Sequence, residues 1–141
     1  MIGVHNIRNA TAAVALAFTI GLPEKNIKAG LYNFKGVQRR FSHLFNHNKV
    51  SFYDDYAHHP TEISSVLSGV KDVYKNKEII CIFQPHRISR VINLKTKFSK
   101  SFKLADIVLL CPIYTASEKL RLNFTYNSFA KLIIKNSNVK L

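Results

Sequence analysis

The chain has 141 residues, 47% of them hydrophobic, enough for one compact domain with a true core plus a remnant of another. No apolar run approaches the roughly 20 residues needed to span a bilayer, and Met1-Ile2-Gly3-Val4-His5 has neither a basic leader nor a signal region, so a cytoplasmic protein is expected. A formal net charge of +13 raises the idea of a polyanion partner, but the lysines are scattered singly among Asn and Ile, which reads as a solvated surface and not a nucleic-acid face.

In chain order, Ala10, Ala13, Val14, Leu16, Ala17 and Ile20 recur at helical spacing, and Gly21 stands where a left-handed C-terminal cap is wanted. Pro23 fits a first helical position with Glu24 in the first turn, and Ile27, Leu31 and Phe34 form a second apolar stripe ending before Gly36. Gly36-Val37-Gln38 is the candidate domain boundary, dividing residues 1–36 from 37–141. Next, residues 40–45, the polar turn Asn46-His47-Asn48 and residues 50–54 read as a β-hairpin. Pro60 opens another helix, with Glu62 in its first turn and Ile63, Val66, Leu67, Val70 and Val73 on its buried face.

Residues 78–83 and 106–110 are short continuous apolar runs, as in strands covered on both faces, and a helix from about Val91 to Lys103 lies between them. A last helix is expected from Tyr126 to Lys135, before a polar tail. Alternating strands and helices predict an α/β fold with a mainly parallel sheet, whose ligands gather at the carboxyl ends of the strands. Cys81 and Cys111 sit apart, each in an apolar run, and suit two buried thiols in a reducing compartment.

Three polar clusters follow strands: residues 54–62, 84–90 and 113–118. Arg87 and Arg90, three apart at a helix start, can present forked donors to one carboxylate. Spacing alone leaves two surface arginines as an equal reading; the adjoining Pro85 and His86 at a strand exit favour an anion clamp. Asp54 and Asp55 alternate faces, so one is expected to be structural. His43 and His47 are placed on opposite sides of the turn, and His58 and His59 point differently, so a zinc site is not expected. No nucleophile elbow, Gly-rich dinucleotide turn or Gly-Lys-Ser/Thr loop occurs, which leaves hydrolase, dehydrogenase and self-sufficient kinase readings without support.

The strings Asp-Asp-Tyr-Ala-His-His-Pro-Thr-Glu (residues 54–62) and Phe-Gln-Pro-His-Arg (residues 83–87) resemble the C-terminal domain of the Mur ligases. The resemblance extends over nearly the whole chain, from residues 3–10 through 36–41 to 105–106 and 113–118. It implies a Rossmann-like, mainly parallel sheet with flanking helices, preceded by a helical remnant of the family's central ATPase domain. It also implies an ATP-dependent ligase joining L-alanine to UDP-N-acetylmuramate through an acyl phosphate in peptidoglycan precursor synthesis. By the same resemblance Tyr56, His58, Arg87 and Arg90 would bind L-alanine; His5, Asn6, Asn9, Arg40 and Asp55 would contact the nucleotide.

The family's UDP-sugar domain, phosphate loop and Mg2+ ligands are expected before residue 1, and its usual end after residue 141, so the chain alone is expected to be inactive. Ile88 and Leu120-Arg121-Leu122 depart from the family pattern. Two other readings stay open: a non-catalytic amino-acid or nucleotide-binding module, and a basic polyanion-binding protein.

Overall fold

The structure is a computed structural model that describes residues 2–119 and 124–141; Leu120-Arg121-Leu122 lies outside the described residues. The chain forms two compact units, Met1–Tyr56 and Ala57–Leu141.

In the first unit, α1 (Val4–Thr19) ends at Gly21, whose φ of 77° lies in the left-handed region. Leu22 N–H donates to Ala17 O and Gly21 N–H to Phe18 O, both at 3.0 Å. Two carbonyls that the helix end would leave unpaired are thereby satisfied. In α2 (Glu24–Asn33), Pro23 stands just outside the helix, and Ile27 is the one buried residue. Leu31 and Phe34 are exposed, and α1 buries none of its residues, because a helix pair cannot enclose the apolar stripes it carries.

Strands β1 (Ser42–His47) and β2 (Val50–Asp54) pair antiparallel, from Ser42↔Asp54 to His47↔Val50. The expected turn is thus displaced: Asn48 and Lys49, at φ 46° and 65°, make it. Positive φ at both central residues gives the backbone twist that two-residue hairpins require. His43 and His47 consequently share β1 instead of flanking the turn. Stacked rings, Phe45 on Phe52 at 4.5 Å and Phe41 on Tyr53 at 4.2 Å, hold the strands together.

In the second unit, β3 (Ile80–Phe83) and β4 (Ile107–Leu110) run parallel, from Ile80↔Ile107 to Phe83↔Leu110. Lys140 bridges Ile107 in parallel, so the polar tail returns to the sheet with Val139 buried. The helices α3 (Pro60–Val73), α5 (Lys95–Lys100) and α6 (Tyr126–Ser137) supply the core opposite Phe83 and Val108. Phe98, Phe102, Phe129 and Ile133 are fully buried, with Phe83 5.2 Å from Phe102 and 5.7 Å from Phe98 between ring centres. Buried hydroxyls are paired: Ser137 Oγ donates to Ser99 O at 2.7 Å and accepts from Phe102 N–H.

Two expectations are corrected here. The strands are covered on one face only, since Ile80 (51%), Ile82 (64%) and Leu109 (48%) are exposed. Their continuous apolar runs resemble those of doubly covered strands, so the pattern could not tell the two cases apart. The helix expected from Val91 to Lys103 begins at Ile88 and breaks at Leu94 (φ −114°, ψ 17°), separating α4 (Ile88–Asn93), which carries rim residues, from α5, which carries core phenylalanines. Apolar spacing survives such a break because Val91 and Phe98 are both buried.

Candidate substrate-binding site

The site lies at the carboxyl ends of β3 and β4, and the chain reaches it through two loops that continue the strands' parallel pairing. Arg87 N–H donates to Tyr114 O at 2.9 Å and Tyr114 N–H to Pro85 O at 2.8 Å, giving an isolated parallel bridge between His86 and Tyr114. Their rings stack at 5.2 Å with planes 20° apart. Gln84 Nε2 donates to Pro112 O at 3.2 Å.

Arg87 ends this loop at φ 64°, a left-handed conformation unusual for a side chain with a Cβ, and stands just before α4 instead of within it. Arg90 follows in the first turn. Arg87 is exposed, whereas Arg90 is half-buried and its Nη1 is fully shielded, with no hydrogen-bond partner among the described residues. A buried guanidinium nitrogen without an acceptor is costly.

Both arginines converge electrically on His86. Burial holds its pKa below the ordinary value, and the charges of Arg90, Arg87 and His58 add to this, against Glu118. His58, Arg87 and Arg90, all in the second unit, thus act on the same imidazole. His58 is fixed from α3: the Glu62 carboxylate accepts from the backbone N–H of His58 (2.9 Å) and His59 (3.1 Å) and lies 3.5 Å from His58 Nδ1. His59 Nδ1 in turn accepts from Thr61 N–H, so His59 caps the helix that Pro60 opens. Sequence placed Glu62 in the first turn; its hold on His58 came from the fold.

Tyr56 belongs to the first unit, with the Arg39 guanidinium 4.7 Å from its ring centre. Arg39 also contacts Asp54 at 3.2 Å, while Asp55 accepts from Phe41 N–H at 2.8 Å, so each adjacent aspartate has a structural bond. The sequence assigns Arg39 no role; its place just before the hairpin is the only sequence signal for these contacts. Arg40 is exposed, His5 and Asn6 are half-buried near the start of α1, Asn9 is exposed, and Asn6 Nδ2 donates to Ile2 O at 2.6 Å.

Glu118, whose partner no sequence pattern signals, bonds Ser89 twice, at 2.8 Å to N–H and 2.7 Å to Oγ. Cys81 and Cys111 are free and only half-buried; desolvation pushes the Cys81 thiol up to about 11, leaving it protonated and unreactive at neutral pH. At the opposite end of the sheet, the lysines are less dispersed than the sequence suggested. Lys71, Lys75, Lys77, Lys103 and Lys140 line one cleft of about 760 Å³, together with Glu78 and Asp106. Among the described residues no group of three His, Cys, Asp or Glu side chains could hold a metal, and no helix is long and apolar enough to cross a membrane.

Residues 39–135 match the family model for the Mur ligase, glutamate ligase domain. The chain belongs to the Mur ligase family. Its helices and parallel sheet are those of the Mur ligase C-terminal domain. The whole chain is 64% identical to the UDP-N-acetylmuramate--L-alanine ligase of Pelagibacter ubique and spans 30% of that relative's length. The same enzyme of Mesorhizobium japonicum is 48% identical over 84% of this chain and 25% of its own. The crystal structure of the Thermotoga maritima UDP-N-acetylmuramate-alanine ligase superposes on 99% of this chain and 29% of its own, with a TM-score of 0.74 and 32% identity. The chain thus corresponds to less than a third of the Mur ligases it matches.

Proposed function

We propose that this chain is the part of a UDP-N-acetylmuramate:L-alanine ligase that binds L-alanine and the adenosine side of ATP, acting in the cytoplasm in peptidoglycan precursor synthesis. The observation that carries the reading is the buried Nη1 of Arg90, unpartnered among the described residues, in a segment where Arg90, Arg87 and His58 together hold the His86 pKa down. A free amino acid brings a carboxylate to a guanidinium pair and leaves its amine at the other end. By the family resemblance Tyr56 would also bind L-alanine. Identity of 64% to a named alanine ligase supports L-alanine as the amino acid.

In the reaction proposed for the whole ligase, the muramate carboxylate accepts the γ-phosphoryl group of ATP. The alanine amine then forms the amide bond and expels phosphate, losing its proton. This chain's part is to hold the carboxylate so that the amine's encounter becomes effectively intramolecular. His5, Asn6, Asn9, Arg40 and Asp55 would contact ATP, and residues 1–36 would be the last helices of the central ATP-binding domain, ahead of an amino-acid-binding domain from residue 37. The phosphate loop and the Mg2+ ligands would come from the part of the ligase outside this sequence, which contains no Gly-Lys-Ser/Thr motif. The chain alone would therefore bind substrate without turning it over.

Calorimetry with L-alanine and with ATP on the wild-type chain and Arg87→Ala tests this. Wild type binds L-alanine and the variant loses it while keeping ATP; absence of L-alanine binding by wild type would overturn the reading. The lysine cleft favours a second reading, a polyanion-binding surface. It requires duplex DNA binding whose affinity falls steeply with salt.

A further inference from the structure

The Arg87–Arg90 segment needs something to hold it, because a left-handed Arg87 before a helix of six residues is not a self-sustaining arrangement. The loop after β4 supplies the restraint. Glu118 reaches across to the beginning of α4 and takes both donors of Ser89, one of the two residues lying between the two arginines. Its carboxylate meets the N-terminal turn, where N–H groups are unpaired within the helix and negative charge is favoured. The same loop pairs Tyr114 with Pro85 and Arg87 through backbone bonds and stacks its ring on His86. It also holds Ala116 and Ser117 at φ 52° and 69°, so its path is itself held in strained backbone.

We propose that Glu118, through its two bonds to Ser89, is a positioning residue that fixes Arg87 and Arg90 in the orientation that receives the amino-acid carboxylate. This rests on the reading of that pair as the carboxylate site, and it adds that the loop after β4 decides whether the pair is preorganised. A carboxylate anchored on a backbone N–H and a hydroxyl at once is bidentate, and charge-assisted bonds of this kind are short and directional. Ser89 carries the restraint to both sides, one residue ahead to Arg90 and two behind to Arg87.

The test uses the full chain with arginine side chains labelled for NMR, in wild type, Glu118→Ala, Glu118→Gln, Ser89→Ala and the Ser89→Ala/Glu118→Ala double variant. Without ligand, wild type is expected to show sharp, separate Arg87 and Arg90 Nε–H signals that merge towards the free-arginine position in Glu118→Ala. L-alanine affinity is expected to fall about tenfold in Glu118→Ala, the scale of one charge-assisted bond. The double variant should lose no more than Glu118→Ala alone. Glu118→Gln, which keeps one acceptor for Ser89 N–H and an amide facing its hydroxyl, should restore most of both signals. Unchanged arginine signals and affinity in a folded Glu118→Ala would overturn the proposal. So would a fall in affinity fully additive with that of Ser89→Ala. If Glu118→Ala does not fold, Ser89→Ala, which removes only the hydroxyl bond, carries both readouts with the same criteria. Should wild type bind no L-alanine while Glu118→Ala still releases the arginine signals, positioning stands and only the ligand assignment falls.

Discussion

Replacing Arg90 by Met should make the chain more stable while removing the amino-acid carboxylate binding proposed for it. The stability side follows from the shielded Nη1 that has no acceptor among the described residues. Leaving such a donor unsatisfied costs about 1–3 kcal/mol, and Met fills comparable volume with no polar atom. In a helix of only six residues Arg90 lies in the first and the last turn at once, so the interactions of its charge with the two helix ends largely cancel. The net expectation is a gain of roughly 1–3 kcal/mol, visible as a rise in melting temperature of a few degrees. On the binding side, removing one partner of a desolvated charge-assisted pair costs about 2–5 kcal/mol, or roughly 30-fold to several-thousand-fold in affinity. Thermal melting followed by calorimetry with L-alanine reads both quantities on the same sample. An Arg90→Met variant that melts lower would show Arg90 to be a structural post, and the inference from its unpartnered nitrogen would fail. Gain of stability with loss of binding is the behaviour of a residue retained for its ligand.

Three other outcomes follow. His86 is held below its ordinary pKa of 6.5 by burial and then by Arg90, Arg87 and His58, against Glu118. The unfolded chain therefore takes up the proton more readily, so this stability is present above about pH 6.5 and is lost as pH falls below it. Denaturant midpoints measured across pH 5–7.5 should fall towards acid in wild type, and the fall should flatten in His86→Asn; an equal slope in both would refute it. Phe98, fully buried against Phe83 and Phe129, should cost about 3–5 kcal/mol on substitution by Ala, read as a lower urea midpoint of the second unit's unfolding. Lys49→Gly removes a Cβ from a left-handed turn position at φ 65° and should stabilise the hairpin by about 0.5–1 kcal/mol. Slower hydrogen exchange at the Phe45 and Phe52 amides would report it, and faster exchange would contradict it.

Helix positions were legible because their apolar residues recur every three or four places and their ends carry stop signals. Gly21 closes α1 in the expected left-handed cap, and Pro60 opens α3 as its first residue. Strand environment was less legible, since a four-residue apolar run such as Ile80–Phe83 contains no polar residue to reveal that Ile80 and Ile82 face outward. The hairpin turn slipped because Asn46, His47 and Asn48 are all turn-compatible, while Lys49 at positive φ gives no compositional warning. In the site, Arg87 and Arg90 could be picked out because they cluster with Pro85 and His86 in the chain. Glu118 could not be tied to Ser89 from sequence, because that bond joins residues 29 apart and depends on the parallel pairing of β3 with β4.

An amino-acid carboxylate is the acceptor proposed for Arg90 Nη1, and a crystal structure of the chain grown with L-alanine is the decisive measurement. A carboxylate oxygen should lie within about 3 Å of Arg90 Nη1, the ordinary hydrogen-bond distance, with the amine directed away from the guanidinium pair. Nη1 bonded to a protein group or a lone water, with L-alanine bound at another place, would contradict it.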